Sequence, residues 1–306
     1  MYSESSNAIN FVTGTISGLA GNQGNVQRSY DSNGSVGKKG VKEAMANNDF
    51  YGNININAAF NKSKSESSSH TESAVVTTIT GIDKDSGITY NNVDNITYQG
   101  TQAKDTKFVY NDVKNITKES VKLHNSYRSS SKSFGVSAGA TVGYGHKLQI
   151  TGNGGSISAG RSNSNTDETI HHNGSFTNVD EVHNNTGTMI IRGFNQEGGK
   201  VTGNIGRFEA TSLQNTSTTT GSSKGVNLGI SANGVPSSVN INTSRTNGNR
   251  AFVDNQSTFV VGEGSNLHVG TVENTGAVIG KEGNSTFKID SYVGKDIHNH
   301  DTMTTT

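Results

Sequence analysis

Apolar residues are sparse in this chain, and where they occur they tend to alternate with polar ones. "GVNLGIS" (225–231) places Val226, Leu228 and Ile230 at every second position, and "SVNINTS" (238–244) repeats the pattern beyond "ANGVPS". A period of two predicts strands with two unlike faces, and the Gly/Pro turn between them predicts a β-hairpin. "FGVSAGATVGYG" (134–145) followed by "GSISAG" (155–160) predicts a second hairpin on the same grounds.

A second rhythm runs towards the C-terminus. Apolar pairs fall at Val260/Val261, Leu267/Val269, Val278/Ile279, Phe287/Ile289 and Val293/Ile297, with "GEGSN", "ENTG" and "KEGNS" between them. Gaps of about ten residues predict two or three short strands per turn of about 20 residues, which is a parallel β-solenoid whose coils gain a core only by stacking. The hairpins lack that rhythm and are expected to project from the solenoid or lie along its side. Stacked Asn, Ser and Thr are expected to add ladders of hydrogen bonds.

The pattern repeats. "GNININAAFNKSKSESSSHTESAVV" (52–76), "GSISAGRSNSNTDETIHHNGSF" (155–176) and "SSVNINTSRTNGNRAFVDNQSTF" (237–259) share a layout of alternating strand, polar turn and second strand. Ile157 matches Val239, "TGTMII" (186–191) matches "TGAVIG" (275–280), and Leu213 matches Ile297. "DIHNHDTMTTT" lines up with "SLQNTSTTTG" and, less closely, with "KLHNSYRSSSKS". Three units are read near 52–154, 155–236 and 237–306, the last truncated. Residues 1–50 form an N-terminal extension or repeat insert. Ile9, Val12, Ile16 and Leu19 have helical spacing there, and "KKGVKEAMANNDF" (38–50) is a second helix candidate.

Composition explains how such a chain folds. Only 29% of the 306 residues are hydrophobic, with 38 glycines, one proline and no cysteine, yet the 25 basic and 25 acidic residues cancel. A disordered chain of this polarity tends to carry net charge and proline, so short strands and tight turns fit better. The charge balance leaves no electrostatic footprint for nucleic acid or anionic lipid. No apolar run reaches the length of a membrane span, and "MYSESSNAINF" lacks the basic and apolar regions of a signal peptide. The polar ending "HNHDTMTTT" reads as a cut through something longer.

The order of alternating hairpin, "NTSRTNGNRAFVDNQSTFVVGEGSNLHVGTVENTGAVIG" and "FKIDSYVGKDIHNHD" resembles the haemagglutinin repeats of the filamentous haemagglutinin family. The resemblance covers about residues 50–306. It rests most on Phe252-Val253-Asp254-Asn255-Gln256-Ser257 and the later "NTGAVIG". It implies a right-handed parallel β-helix with projecting hairpins, in a secreted exoprotein passed through an outer-membrane secretion barrel. Such proteins attach to a receptor on host or neighbouring cells, and some are contact-dependent inhibition effectors that deliver a toxin.

Candidate chemistry is thin beside this. His171, His172 and His183, and the cluster His298, His300 and Asp301, hold metal-ligating atoms close in sequence, and in a strand His298 and His300 would point to the same side. Exposed polar histidine near loops is the simpler reading. "DKDSG" (83–87) resembles the start of a calcium loop without its bidentate Glu, and is read as a turn. Asp83, Asp85, Asp94, Asp105, Asp112, Asp167 and Glu168 are scattered; Asp180 and Glu181 face opposite sides of a strand and are read as solvated. "GNGG" (152–155) is read as a turn. No residue is assigned as catalytic, cofactor-binding or metal-binding. The leading expectation is a structural stalk of a surface adhesin, against a β-helical carbohydrate-active enzyme or part of a toxin-delivery conduit.

Overall fold

The two rhythms build different sheets. The computed structural model describes residues 2–7, 12–13, 52–83, 85–144 and 149–306, and contains no helix among them. Strands β1 (Tyr2–Asn7) and β2 (Val12–Thr13) pair antiparallel with β3 (Gly52–His70). Val12 therefore lies in a strand, not in the helix that its spacing predicts. It is β-branched, precedes Thr13, and finds a ready edge on β3. Ile9, Ile16, Leu19 and the helix candidate at 38–50 lie outside the described residues.

From there the chain repeats one itinerary. It passes through β4 (Thr78–Thr80), β5 (Gly87–Asn91) and β6 (Asn95–Gln99), then β7 (Gln102–Lys104) and β8 (Lys107–Glu119). A long hairpin follows, β9 (Val121–Tyr144) and β10 (Gln149–His172). The next four strands are β11 (Gly174–Thr177), β12 (Asp180–Arg192), β13 (Phe194–Glu197) and β14 (Val201–Thr211). A second hairpin, β15 (Asn215–Ile230) and β16 (Pro236–Phe252), leads to β17 (Thr258–Val261), β18 (Asn266–Thr275), β19 (Val278–Lys281) and β20 (Thr286–Lys295). The last strand is β21 (His300–Thr305).

Strands β4, β7, β11, β13, β17 and β19 form one parallel sheet; β5 with β6, β8, β12, β14, β18 and β20 form another. Within a unit the stacking offset is 20 residues at most positions, as in Gly174 on Phe194 and Thr258 on Val278, and 24 where β4 meets β7. Across a hairpin it becomes 73 (Gln102 on Ser175) or 63 (Asn195 on Thr258). The hairpins, with β3 and β21, make a third, antiparallel sheet in the order β1-β3-β9-β10-β15-β16-β21. Neighbouring hairpins thus pair with one another along the side of the stack.

A simple length match explains why a hairpin follows every second rung. Two rungs lengthen each parallel sheet by roughly 9–10 Å, and the two strands of one hairpin widen the antiparallel sheet by the same roughly 9–10 Å. All three sheets therefore grow in step.

The core lies between the two parallel sheets. Phe108 on β8 stacks on Phe176 of β11 with ring centroids 5.3 Å apart, and Phe208 on β14 meets Phe259 of β17 at 4.6 Å. The corners rely on residues that accept positive φ. Asp105 (φ 50°), Asn178 (φ 53°) and Gly198 (φ 68°) succeed one another along one corner, just after the register Lys104–Thr177 and Thr177–Glu197. At Gly193 and Gly276 (φ 59° and 62°), a Cβ would meet Leu213 and Ile297, respectively. The sequence match of Leu213 with Ile297 is thus a shared seat against a corner glycine.

Three sequence readings change. The polar stretches of 155–176 and 237–259 are not turns: "RSNSNTDET" runs straight along β10 and "SRTNGNR" along β16. Neighbours on both sides satisfy their backbone groups, which overrides local turn preference. "GNGG" is likewise a bulge inside β10, where the register shifts between Gly152 and Gly154 (φ 83°). Finally, "TGTMII" lies on β12 while "TGAVIG" spans a corner into β19, in the other parallel sheet. Short β-branched strings recur on every rung, so they match out of register.

Candidate functional site

Two assemblies stand out, one inside the stack and one outside it. Inside, inward positions that are apolar on most rungs become polar where the first hairpin is inserted. Glu181 pairs with Phe108 on one side and Val201 on the other, and Lys118 with Ile191. Both side chains are fully buried, 2.5 Å apart (Lys118 Nζ to Glu181 Oε1). Lys118 also donates to Gln196 Oε1 at 2.7 Å, Gln196 Nε2 donates to Glu181 Oε2 at 2.7 Å, and the Tyr110 hydroxyl donates to Glu181 Oε1 at 3.2 Å. His183 lies on Tyr110 with centroids 4.9 Å apart; its Nδ1 bonds Thr186 Oγ1 at 2.9 Å. Its Nε2, 3.5 Å from Glu181 Oε2, has no hydrogen-bond partner. The Lys118 ammonium also sits 4.6 Å from the Phe176 ring centroid.

Burial raises the Glu181 carboxyl, but the Lys118 ammonium outweighs it and holds the group well below the usual carboxylate range. Burial lowers His183 and keeps it neutral, while burial raises Tyr110. The cluster is a charged clamp without solvent access. The reading of Asp180 and Glu181 as solvated is therefore corrected for Glu181, and exposed polar histidine is corrected for His183. Asp180 remains on the outer side, where its carboxylate accepts the Lys200 N–H at 2.7 Å. Glu181 and His183 share the parity of Phe108 and Tyr110 through the β8–β12 register, a signal that only the pairing of the strands reveals.

Outside, the antiparallel sheet has two unlike faces. One is almost wholly Ser, Thr, Asn and Gly towards the hairpin tips, and hydroxyls bond across it: Ser131–Ser162 at 2.7 Å, Ser137–Ser156 at 2.8 Å and Ser223–Ser244 at 2.9 Å. The other face carries a row of Phe60, Val136, Ile157, Leu228 and Val239, placed side by side by the register. Asparagine ladders of the same kind run along the parallel sheets, as in Asn91–Asn111–Asn184 at 2.7 Å per step.

The hairpins are clasped at their base by one recurring residue. Asn125, Asn215 and Asn299 each accept, through Oδ1, the backbone N–H of Glu72, His171 or Val253, at 3.1, 2.7 and 3.0 Å. These are the asparagines of "KLHN", "SLQN" and "DIHN", so the sequence line-up marks this clasp.

The remaining candidates are dispersed. His171 bonds Ser120 Oγ at 3.1 Å, while His172 is exposed. The His298 carbonyl accepts from Gln214, and His300 Nε2 bonds Asn249 Oδ1 at 2.7 Å. Among the described residues, no three His, Cys, Asp or Glu side chains converge. Asp83 Oδ1 accepts the N–H of Asp85 and of Ser86 and the Ser86 hydroxyl, closing a local turn, and Ser86 lowers its pKa. A cleft of about 670 Å³ is lined by Asp254, Asp296 and His298, but the Asp254 carboxylate is committed to Arg250 at 2.5 Å and Asn215 at 2.7 Å.

No helix among the described residues is long and apolar enough to cross a membrane. Comparison with curated proteins and with solved structures returns no match. The family model for the hemagglutinin repeat matches residues 58–226, from within β3 through β14 and into β15. That family is one of structural and adhesive repeats rather than of enzymes, and it is found in secreted, surface-exposed exoproteins. The repeated itinerary and this match, over more than half of the chain, agree: the chain belongs to the filamentous haemagglutinin family, as a hemagglutinin-repeat protein.

Proposed function

We propose that the chain is a structural stalk and surface-display segment of a secreted bacterial adhesin or contact-dependent inhibition exoprotein. In this reading the two parallel sheets are faces of a right-handed parallel β-helix, built of units near 52–154, 155–236 and 237–306, with residues 1–50 as an extension. The parent protein leaves the cell through an outer-membrane barrel, and the hairpins meet a receptor on a host or neighbouring cell. The observation that carries the reading is the common growth of all three sheets. A unit that adds equal length to each can be repeated without limit, which suits a rod, and it sets every hairpin in the same orientation.

The test has two parts. Adding one unit to the chain should lengthen its long axis by roughly 9–10 Å in small-angle scattering. Shortening the second hairpin by replacing residues 223–244 with Asn-Gly should leave the stack folded and reduce attachment of beads coated with the chain to cells. Equal attachment by the shortened and full chains would remove the adhesive role from the hairpins.

A further inference from the structure

The chain has no net charge, but its strand register gathers cations that the sequence scatters. Lys64, Lys132, Arg161 and Lys224 lie directly opposite one another across β3, β9, β10 and β15, on the same face as the apolar row. Like charges placed opposite on neighbouring strands repel. Lys64 has Glu66 at 2.9 Å, but among the described residues no carboxylate lies within ion-pair distance of Lys132, Arg161 or Lys224, and all three are exposed. Glu66 beside Lys64, and Glu4 opposite Lys64 on β1, place counter-charge at one end of the row, so it is the repulsion among Lys132, Arg161 and Lys224 that is left for something outside the chain to relieve.

The next row towards the tips, about 7 Å away, is apolar except for Lys62: Phe134, Ala159, Val226 and Ile241. Beyond it, at the same spacing, lies the row from Phe60 to Val239. Phe134, Val226, Val239 and Ile241 are 45%, 47%, 61% and 71% exposed. An apolar patch several strands wide, bordered on its inner edge by a line of cations and backed by a hydrophilic face, has the polarity of an interfacial membrane element. Stems of Lys and Arg can lie along the apolar surface while their heads reach phosphate.

We infer that this face of the hairpin sheet docks on a phospholipid bilayer with anionic headgroups, its apolar rows at the acyl boundary and the row Lys64–Lys132–Arg161–Lys224 at the phosphates. The sheet lies against the bilayer on that face, and the Ser/Asn/Gly face remains in water. Two copies packed face to face would bury the apolar rows but leave Lys132, Arg161 and Lys224 without counter-charge, so the charge favours lipid over self-association.

The test uses the full chain with vesicles of 30% phosphatidylglycerol in phosphatidylcholine, against pure phosphatidylcholine. Co-sedimentation is expected with the anionic vesicles, falling with added salt. K132Q/R161Q should weaken it roughly thirtyfold. V226N/I241N should weaken it too, with the thermal melt unchanged. Because the chain has no tryptophan, F134W supplies a single reporter whose emission should shift to the blue on anionic vesicles only. Absence of binding at low salt, or binding indifferent to both double substitutions, would overturn the inference. So would a dimer in sedimentation that V226N/I241N dissolves while no vesicle binds. Vesicle binding without cell attachment would remove receptor adhesion and leave this inference standing.

Discussion

The two places where a hairpin interrupts the stack share an aromatic pair, Phe108–Phe176 and Phe208–Phe259, but differ in the chemistry around it. At the first, β8 meets β11, β12 and β13 through Lys118, Glu181, Gln196 and His183, all buried. At the second, β13 and β14 meet β17 and β18 through Phe208 on Phe259 and through Val201, Ile205, Leu267 and Val269. Both junctions join corresponding strands in parallel, β8 to β12 at the first and β14 to β18 at the second, so geometry did not demand the charges. The difference teaches that the fold tolerates either solution provided the buried charges are matched, as Lys118 and Glu181 are, even with His183 Nε2 left without a hydrogen bond. A buried ion pair gains little net stability over apolar packing, but losing one partner is costly. It does impose register, since a slipped rung would leave Lys118 or Glu181 alone in the core.

The largest effects should come from removing one member at either junction. Glu181→Ala strands the Lys118 ammonium and is expected to cost about 3–5 kcal/mol. Phe259→Ala opens a cavity at the second junction and should cost about 3–5 kcal/mol. Hydrogen exchange should localise the two losses, to β8 and β12 in the first case and to β14 and β18 in the second. If both substitutions loosen the whole stack equally, the junctions are not separable units.

Replacing the clamp whole should do the opposite of breaking it. The triple change Lys118→Met, Glu181→Leu and Gln196→Leu should be neutral or stabilising by about 1–4 kcal/mol in urea unfolding. A loss as large as that of Glu181→Ala would show that the network has a positive role that apolar side chains cannot fill.

Acid should separate the junctions as well. The folded pKa of His183 is depressed, so the unfolded chain binds the extra proton first, and stability falls as pH drops below about 6.5. Glu181 is also depressed; its stabilisation is complete above its ordinary value of 4.5 and is lost as pH falls further, towards its folded pKa. Both chains keep His183, so their urea midpoints should fall alike from pH 7 towards pH 5, whereas below about pH 4.5 those of the native chain should fall more steeply because only it carries Glu181. Parallel curves below about pH 4.5 would rule out Glu181 as the source.

The smallest effect concerns the hairpin bases, which are alike at both junctions. Asn215→Ala leaves the His171 N–H without its acceptor and should cost about 1–3 kcal/mol, with faster exchange confined to the base of β10 and β15. Asn299→Ala should do the same at the Val253 N–H, and an effect at only one of the two would mean that the clasps are not equivalent.

Much of the architecture was legible because both rhythms reflect burial. The strands from Val260 to Ile289 stood out because inward positions must be apolar, and the hairpins because their faces differ. The clasp asparagines were visible as a line-up, though not as a function. The polar strands of β10 and β16 were misread because Ser, Asn and Arg favour turns when their neighbours are unknown. Glu181 and His183 were misplaced for a related reason: a charged residue signals solvent until a partner 63 residues away, Lys118, is brought to it.

By itself, the sequence determined the all-β class, the repeat and the two-faced hairpins, because these depend on local conformational preference and on the period of burial. Tertiary structure alone decided that hairpins join into one sheet, that Lys118 meets Glu181, and that four cations line up beside an apolar patch. Each of these depends on the register between strands distant in sequence, and register is set by the packing of the whole stack.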